Sequence, residues 1–130
     1  MDYLLVALGG ALGSVARYGL GQIITARYGD GFPIATLVIN VTGSFLIGFF
    51  ATLTGTSGPW PLSNTARLFF MVGICGGYTT FSSFSLQSLM LIRNGQILAA
   101  SLNAILSVVL CLIAVTLGHL AAAVINQSKA

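Results

Sequence analysis

The chain has 130 residues, of which 56% are hydrophobic and 5% charged, with a formal net charge of +3. A water-facing domain carries about 25% charged residues, so this surface is not built for water. The few bases are scattered, which excludes the clustered basic face that a nucleic acid requires.

The first apolar run, from about Tyr3 to Thr25, opens as MDYLLVALGG. It carries an acid where a cleaved signal carries bases and continues past a signal core, so it is expected to remain as a membrane span. Gly9, Gly13, Arg17 and Gly21 recur every four residues and share one helical stripe. Gly9 and Gly13 form a small-xxx-small pair that admits a second helix closely. Arg17 lies well inside the run, where a charge must meet carbonyls, an acid or water. It is either an anion attractor at the mouth of a pathway or a helix-end cap that snorkels to the interface.

A glycine-rich turn from Arg27 to Gly31 leads into a second run, Pro33 to Leu53, where Asn40 stands in the stretch LVINVTGSFLIG with Thr42 and Ser44 nearby. An amide in hydrocarbon needs partners, either another helix or an anion facing its N–H donors. Asn40 and Thr42 also complete a glycosylation sequon, which membrane depth makes unusable. In the next turn Trp60 sits between two prolines, the position of an interfacial anchor.

The third run, Arg67 to Arg93, is charge-free between its ends and reads LFFMVGICGGYTTFSSFSLQSLMLI. It exceeds the ~20 residues, at ~1.5 Å rise each, that cross a bilayer. Its centre is interrupted around Gly76, Gly77, Thr79 and Thr80. Unwound backbone at membrane depth is tolerated only where protein buries it or it lines a cavity, and transporters place ion sites at such breaks. The freed carbonyls are hard oxygen ligands suited to a small cation. Phe81 and Phe84 are three apart and share a helical face. They are either ordinary packing or a pair of electropositive ring edges turned to an anion. Ser82, Ser83, Ser85, Gln87 and Ser88 add hydrogen-bond donors.

The fourth run spans Gln96 to Ile125. Asn103, Ser107 and Cys111 repeat every four residues, a polar track that serves as pathway lining or as helix glue. His119, near the end, is expected to be a solvated interfacial histidine. Cys75 and Cys111 both fall inside apolar runs and read as small packing residues, without a disulfide or a zinc site. No soluble segment is left over, so residues 1–130 are read as a single transmembrane domain, an all-α membrane protein of four helices with the third broken at its centre.

No aspartate or glutamate lies within any of the four runs. Cation pumps and proton-coupled exporters depend on intramembrane carboxylates, so donors and one arginine favour an anion. No hydrolytic constellation is present, which argues against an enzyme. Arg67 and Lys129 fall on one side of the membrane and Arg27 and Arg93 on the other, an even split that gives no orientation bias. The economical arrangement is an antiparallel, dual-topology homodimer, an inverted repeat made from two copies; the alternative is a parallel oligomer oriented by other means.

The combination GGALGSVARY, TLVINVTGSFLIG and GICGGYTTFSSFS resembles the bacterial fluoride channel family called Fluc or CrcB. The resemblance covers all four runs and is most specific in the last motif. It implies an antiparallel homodimer with two pores, in the bacterial inner membrane, that exports fluoride passively from the cytoplasm. It further implies that the backbone carbonyls of Gly76 and Thr79 from both subunits hold a structural Na⁺ at the dimer axis. By the same resemblance Phe81 and Phe84 line the fluoride path, Asn40 contacts the anion, and Ser107 belongs to the polar track of the fourth span. Thr80 and Ser83 match the hydroxyl positions beside the rings, and Arg17 matches the arginine of the first span. Tyr78 departs from the pattern, standing where a more apolar residue is common, and Ser83 stands where threonine is usual. Two other readings compete: a small multidrug-type exporter, which would need an embedded carboxylate, and a non-transporting membrane subunit, which would not need the break.

Overall fold

The computed structural model describes residues 1–56 and 58–127; Lys129, counted above for orientation, lies outside them. Among the described residues all regular structure is helical. In chain order these are α1 (Asp2–Tyr28), α2 (Ile34–Leu53), α3 (Asn64–Arg67), a π-helical stretch (Leu68–Cys75), α4 (Gly76–Tyr78), α5 (Phe81–Arg93) and α6 (Ile97–Gln127). Four segments are long and apolar enough to cross a membrane: α1, α2, the composite third span Asn64–Arg93, and α6, from 20 to 31 residues each.

Local chemistry sets the ends. α1 runs on to Tyr28 and stops at Gly29, whose φ of 77° only glycine adopts without strain. The third span begins three residues before Arg67 because Ser63 caps it, its Oγ accepting from the Ala66 N–H at 3.3 Å. Gly95, with φ 76°, turns the chain from α5 into α6.

Many large side chains of α1 and α6 point away from the other helices. Leu4, Leu8, Leu12 and Val15 on α1, like Leu102, Ile105, Val109 and Ile113 on α6, are exposed, whereas the buried residues of α6 include Ala100, Ala114 and Ala122. A soluble fold has the opposite distribution. Here the exposed leucines meet lipid, and small residues let backbones approach.

Glycines bring α1 close against the first half of the third span, as Gly48 and Gly118 do for α2 and α6. A Cβ at Gly9 would lie 2.6 Å from the Phe69 carbonyl oxygen, and one at Gly77 would lie 2.5 Å from that of Gly10. The glycine stripe therefore meets a second glycine stripe, Gly73 and Gly77. α2 is central: it touches α1, the third span on both sides of its interruption, and α6, its most extensive partner. Phe50 of α2 stacks on Phe70 with ring centroids 5.4 Å apart.

The third span breaks at Thr79 and Thr80, not at the glycine pair. Gly76 is helical at φ −66°, ψ −37°, and α4 carries the helix through Tyr78. Thr79 (φ −80°, ψ 157°) and Thr80 (φ −152°, ψ 108°) are extended, and α5 restarts at Phe81. β-branched residues favour this extended conformation, and Thr80 restarts the helix as its cap, accepting from the Ser83 N–H at 3.2 Å.

Candidate ion pathway at the broken third helix

A break frees carbonyls and amides that need new partners at membrane depth. Asn40 of α2 supplies two of them to a single residue. Its Oδ1 accepts from the Thr80 N–H at 2.8 Å, and its Nδ2 donates to the Thr80 carbonyl at 3.0 Å. This closes the break against α2 as a neighbouring strand would. The second N–H of Asn40 has no partner among the described residues.

Two carbonyls lose their helical donors through these pairings. In a continuous helix the Thr80 N–H would serve Gly76, but it serves Asn40. The Ser83 N–H would serve Thr79, but it serves the Thr80 hydroxyl. A third carbonyl, that of Gly77, is covered from the other side by α1. Arg17 Nε donates to it at 3.2 Å and Ser14 Oγ at 3.4 Å. Ser14 was not singled out from sequence, though it lies three residues before Arg17 and so shares its face.

On the α2 side the break opens into a cavity of about 430 Å³. Its floor is the face of α2 bearing Asn40, Gly43, Ser44 and Ile47. One wall is the third span with Met71, Cys75, Gly76, Thr79, Thr80, Phe81 and Phe84, and the other is α6 with Ser107, Val108, Cys111 and Leu112. No charged side chain and no histidine lines it. The hydroxyl of Ser107 is buried without a hydrogen-bond partner among the described residues. Phe81 and Phe84 sit with ring centroids 5.2 Å apart at an angle of 44°, and Phe81 is 77% exposed.

Of the residues singled out from sequence, Asn40, Gly76, Thr79, Thr80, Phe81, Phe84 and Ser107 therefore line one cavity. Two lie elsewhere. Ser83 is behind the wall, its Oγ accepting from Thr80 Oγ1 at 3.0 Å. Arg17 is on the opposite side of the third span, half-buried against Gly77. Replacing Arg17 with methionine leaves the Gly77 carbonyl with only the longer Ser14 contact. Loss of a charge-assisted bond of this kind is expected to cost about 1.5–3 kcal/mol of fold stability, read as an earlier loss of helicity in a detergent titration.

The polar track of α6 divides by depth. Asn103, 1% exposed, donates through Nδ2 to Ser88 Oγ at 2.9 Å and ties α6 to α5. Ser107 and Cys111, one and two turns further, face the cavity. His119 is exposed, but its Nδ1 lies 2.7 Å from Thr52 Oγ1. Arg67 donates to the Ala51 carbonyl and to Thr54 Oγ1, both at 3.4 Å, and so caps the end of α2.

Four spanning segments, a helix interrupted at membrane depth and a cavity with neutral donors but no titratable carboxylate define a multi-pass membrane protein of the ion-conducting class. The profile of the family described as CrcB-like protein, Camphor Resistance (CrcB), matches residues 4–119, and the chain belongs to this family. It is 58% identical over 127 residues to the fluoride-specific ion channel FluC of Rhodospirillum rubrum, covering 98% of both chains. It is 54% identical to the protein of the same name from Methylocella silvestris, covering 99% of this chain and 98% of the other. For the Opitutus terrae protein, again named fluoride-specific ion channel FluC, the identity is 55%, covering 98% and 96%.

Proposed function

We propose that the chain is a fluoride-specific ion channel of the bacterial inner membrane, conducting passively and not an enzyme. The observation that carries this reading is the charge-free cavity with an orphaned hydroxyl donor, Ser107, on its wall. Fluoride is small and strongly hydrated, so it permeates only where close donors replace lost water without holding the ion too tightly. The spare N–H of Asn40, the Ser107 hydroxyl and the edges of Phe81 and Phe84 are donors of that kind. Hydrogen fluoride enters a cell from an acidic medium as a neutral molecule and ionises in the less acidic interior. The membrane potential then drives the anion outward with about 2.3 kcal/mol per charge per 100 mV.

The cavity opens on the surface of the subunit, with Gly76 and Phe81 exposed at its rim. We assign its cover to a second copy of the chain in the opposite orientation, consistent with the even division of bases between the two sides. The donor set also fits a structural Na⁺. The Gly76 and Thr79 carbonyls are hard oxygen ligands whose helical donors are engaged elsewhere, and Na⁺ held by both copies of each would supply a fixed charge joining the two broken spans.

The test is efflux from proteoliposomes containing the purified chain, followed with fluoride- and chloride-selective electrodes. Fluoride is expected to leave at channel rates while chloride is retained; comparable chloride flux would remove the selectivity, and absent fluoride flux the function.

A further inference from the structure

We propose that Tyr78 and Thr42 form a second grip on the broken helix that fixes the position of the Thr79 carbonyl, and with it the apparent affinity for Na⁺; this rests on the sodium reading above. Tyr78 is the last residue of α4, immediately before the extended Thr79. Its hydroxyl lies 2.8 Å from Thr42 Oγ1 on α2. The Thr42 oxygen is also 2.8 Å from the Val38 carbonyl and 3.1 Å from that of Ile39. Carbonyls cannot donate, so the single Thr42 proton serves the helix backbone. The Tyr78 O–H is then the donor to Thr42, which satisfies both groups.

The placement on α2 gives this bond its leverage. Residues two apart on a helix point to nearly opposite flanks, so Asn40 and Thr42 hold the third span from different sides. Asn40 grips Thr80 and Thr42 grips Tyr78, and the residue between them, Thr79, is seated over Gly43. A Cβ at Gly43 would collide with Thr79 Cγ2 and come within 3.1 Å of Tyr78 Cδ1. The break thus straddles α2, pinned on both flanks. The Thr79 carbonyl shares its peptide plane with the Thr80 N–H that Asn40 holds. Releasing the Tyr78 flank leaves that plane hinged on Asn40. The end of α4, with Thr79 still bonded to the Cys75 carbonyl, then shifts along α2 and carries the Thr79 carbonyl out of its fixed position.

Interhelical hydrogen bonds in membranes contribute modestly. Tyr78→Phe and Thr42→Val are therefore each expected to raise the Na⁺ concentration for half-maximal effect by about 3-fold to about 15-fold. Thr42→Ser, which keeps the acceptor, stays near wild type, and the double variant Y78F/T42V is no weaker than either single one. The readout is the rise in thermal unfolding temperature of the detergent-purified protein as Na⁺ replaces K⁺, alongside fluoride efflux at limiting and saturating Na⁺. At saturating Na⁺ efflux is expected to return to the wild-type rate. A wild-type unfolding temperature indifferent to Na⁺ would overturn the sodium reading itself. A Na⁺-responsive wild type whose midpoint is unchanged in Y78F and T42V, or a T42S variant as impaired as T42V, would overturn the grip alone.

Discussion

Phe81→Ile is expected to cut fluoride efflux by about 10-fold to about 150-fold while leaving the subunit folded. Phe81 is 77% exposed and its ring contact is with Phe84, so little intramolecular packing depends on it. Isoleucine keeps an apolar side chain at that place but has no electropositive edge. Taking the ring edge to serve the ion as a hydrogen-bond donor would, its contact is worth about 1.5–3 kcal/mol. Each 1.36 kcal/mol on a barrier is about tenfold in rate, so the loss falls in the expected range. Initial efflux rates from liposomes, with helicity and elution volume as controls for folding, decide the matter. Wild-type rates in the variant would take the ring out of the ion's route.

The second large effect separates two adjacent glycines. Gly77→Ala is expected to destabilise the subunit by more than about 2 kcal/mol, because its Cβ would sit 2.5 Å from the Gly10 carbonyl oxygen and 2.9 Å from Gly10 Cα. Both obstacles are backbone, which cannot turn aside as a side chain can. Opening the contact also draws Arg17 and Ser14 away from the Gly77 carbonyl. Gly76→Ala meets nothing closer than 3.8 Å, and at a helical position alanine gains about 0.5–1 kcal/mol over glycine. The isolated subunit should tolerate or welcome it. Any loss on Gly76→Ala that appears only in the assembled protein would report a partner's backbone at the exposed rim. Loss of helicity across a denaturing detergent titration, for both variants side by side, measures the difference.

Those glycines show where reading the chain stopped short. From the residues alone the interruption covers Gly76, Gly77, Thr79 and Thr80 together, with nothing to separate the glycines from the threonines. In the fold Gly76 is helical and Gly77 serves a close contact with Gly10, while the extended residues are the two threonines after them. The same limit applies to Asn40. Its type and depth announced a polar partner, but whether an anion or a helix was met depended on which backbone lay opposite. The structure engages one amide hydrogen and the side-chain carbonyl with Thr80 and leaves the other hydrogen without a partner among the described residues, on a side chain that lines the cavity. Arg17, equally legible as a buried charge, turned out to cap a released carbonyl and not to line the cavity. Tyr78 and Thr42 carried no joint signal, because 36 residues separate them along the chain.

What the sequence determined by itself was the solvent and the chemistry. Four largely apolar runs of bilayer length require helices, since lipid offers no partner for an open backbone. The lack of aspartate and glutamate within the four runs and the hydroxyl-rich segment after Gly77 favour an anion met by neutral donors. Only the tertiary structure decided where the break lies, which carbonyls it releases and which residues share the cavity. Those outcomes turn on contacts across helices at distances near 3 Å, such as Asn40 with Thr80. Periodicity along one helix states which face a residue occupies, but not what stands opposite that face.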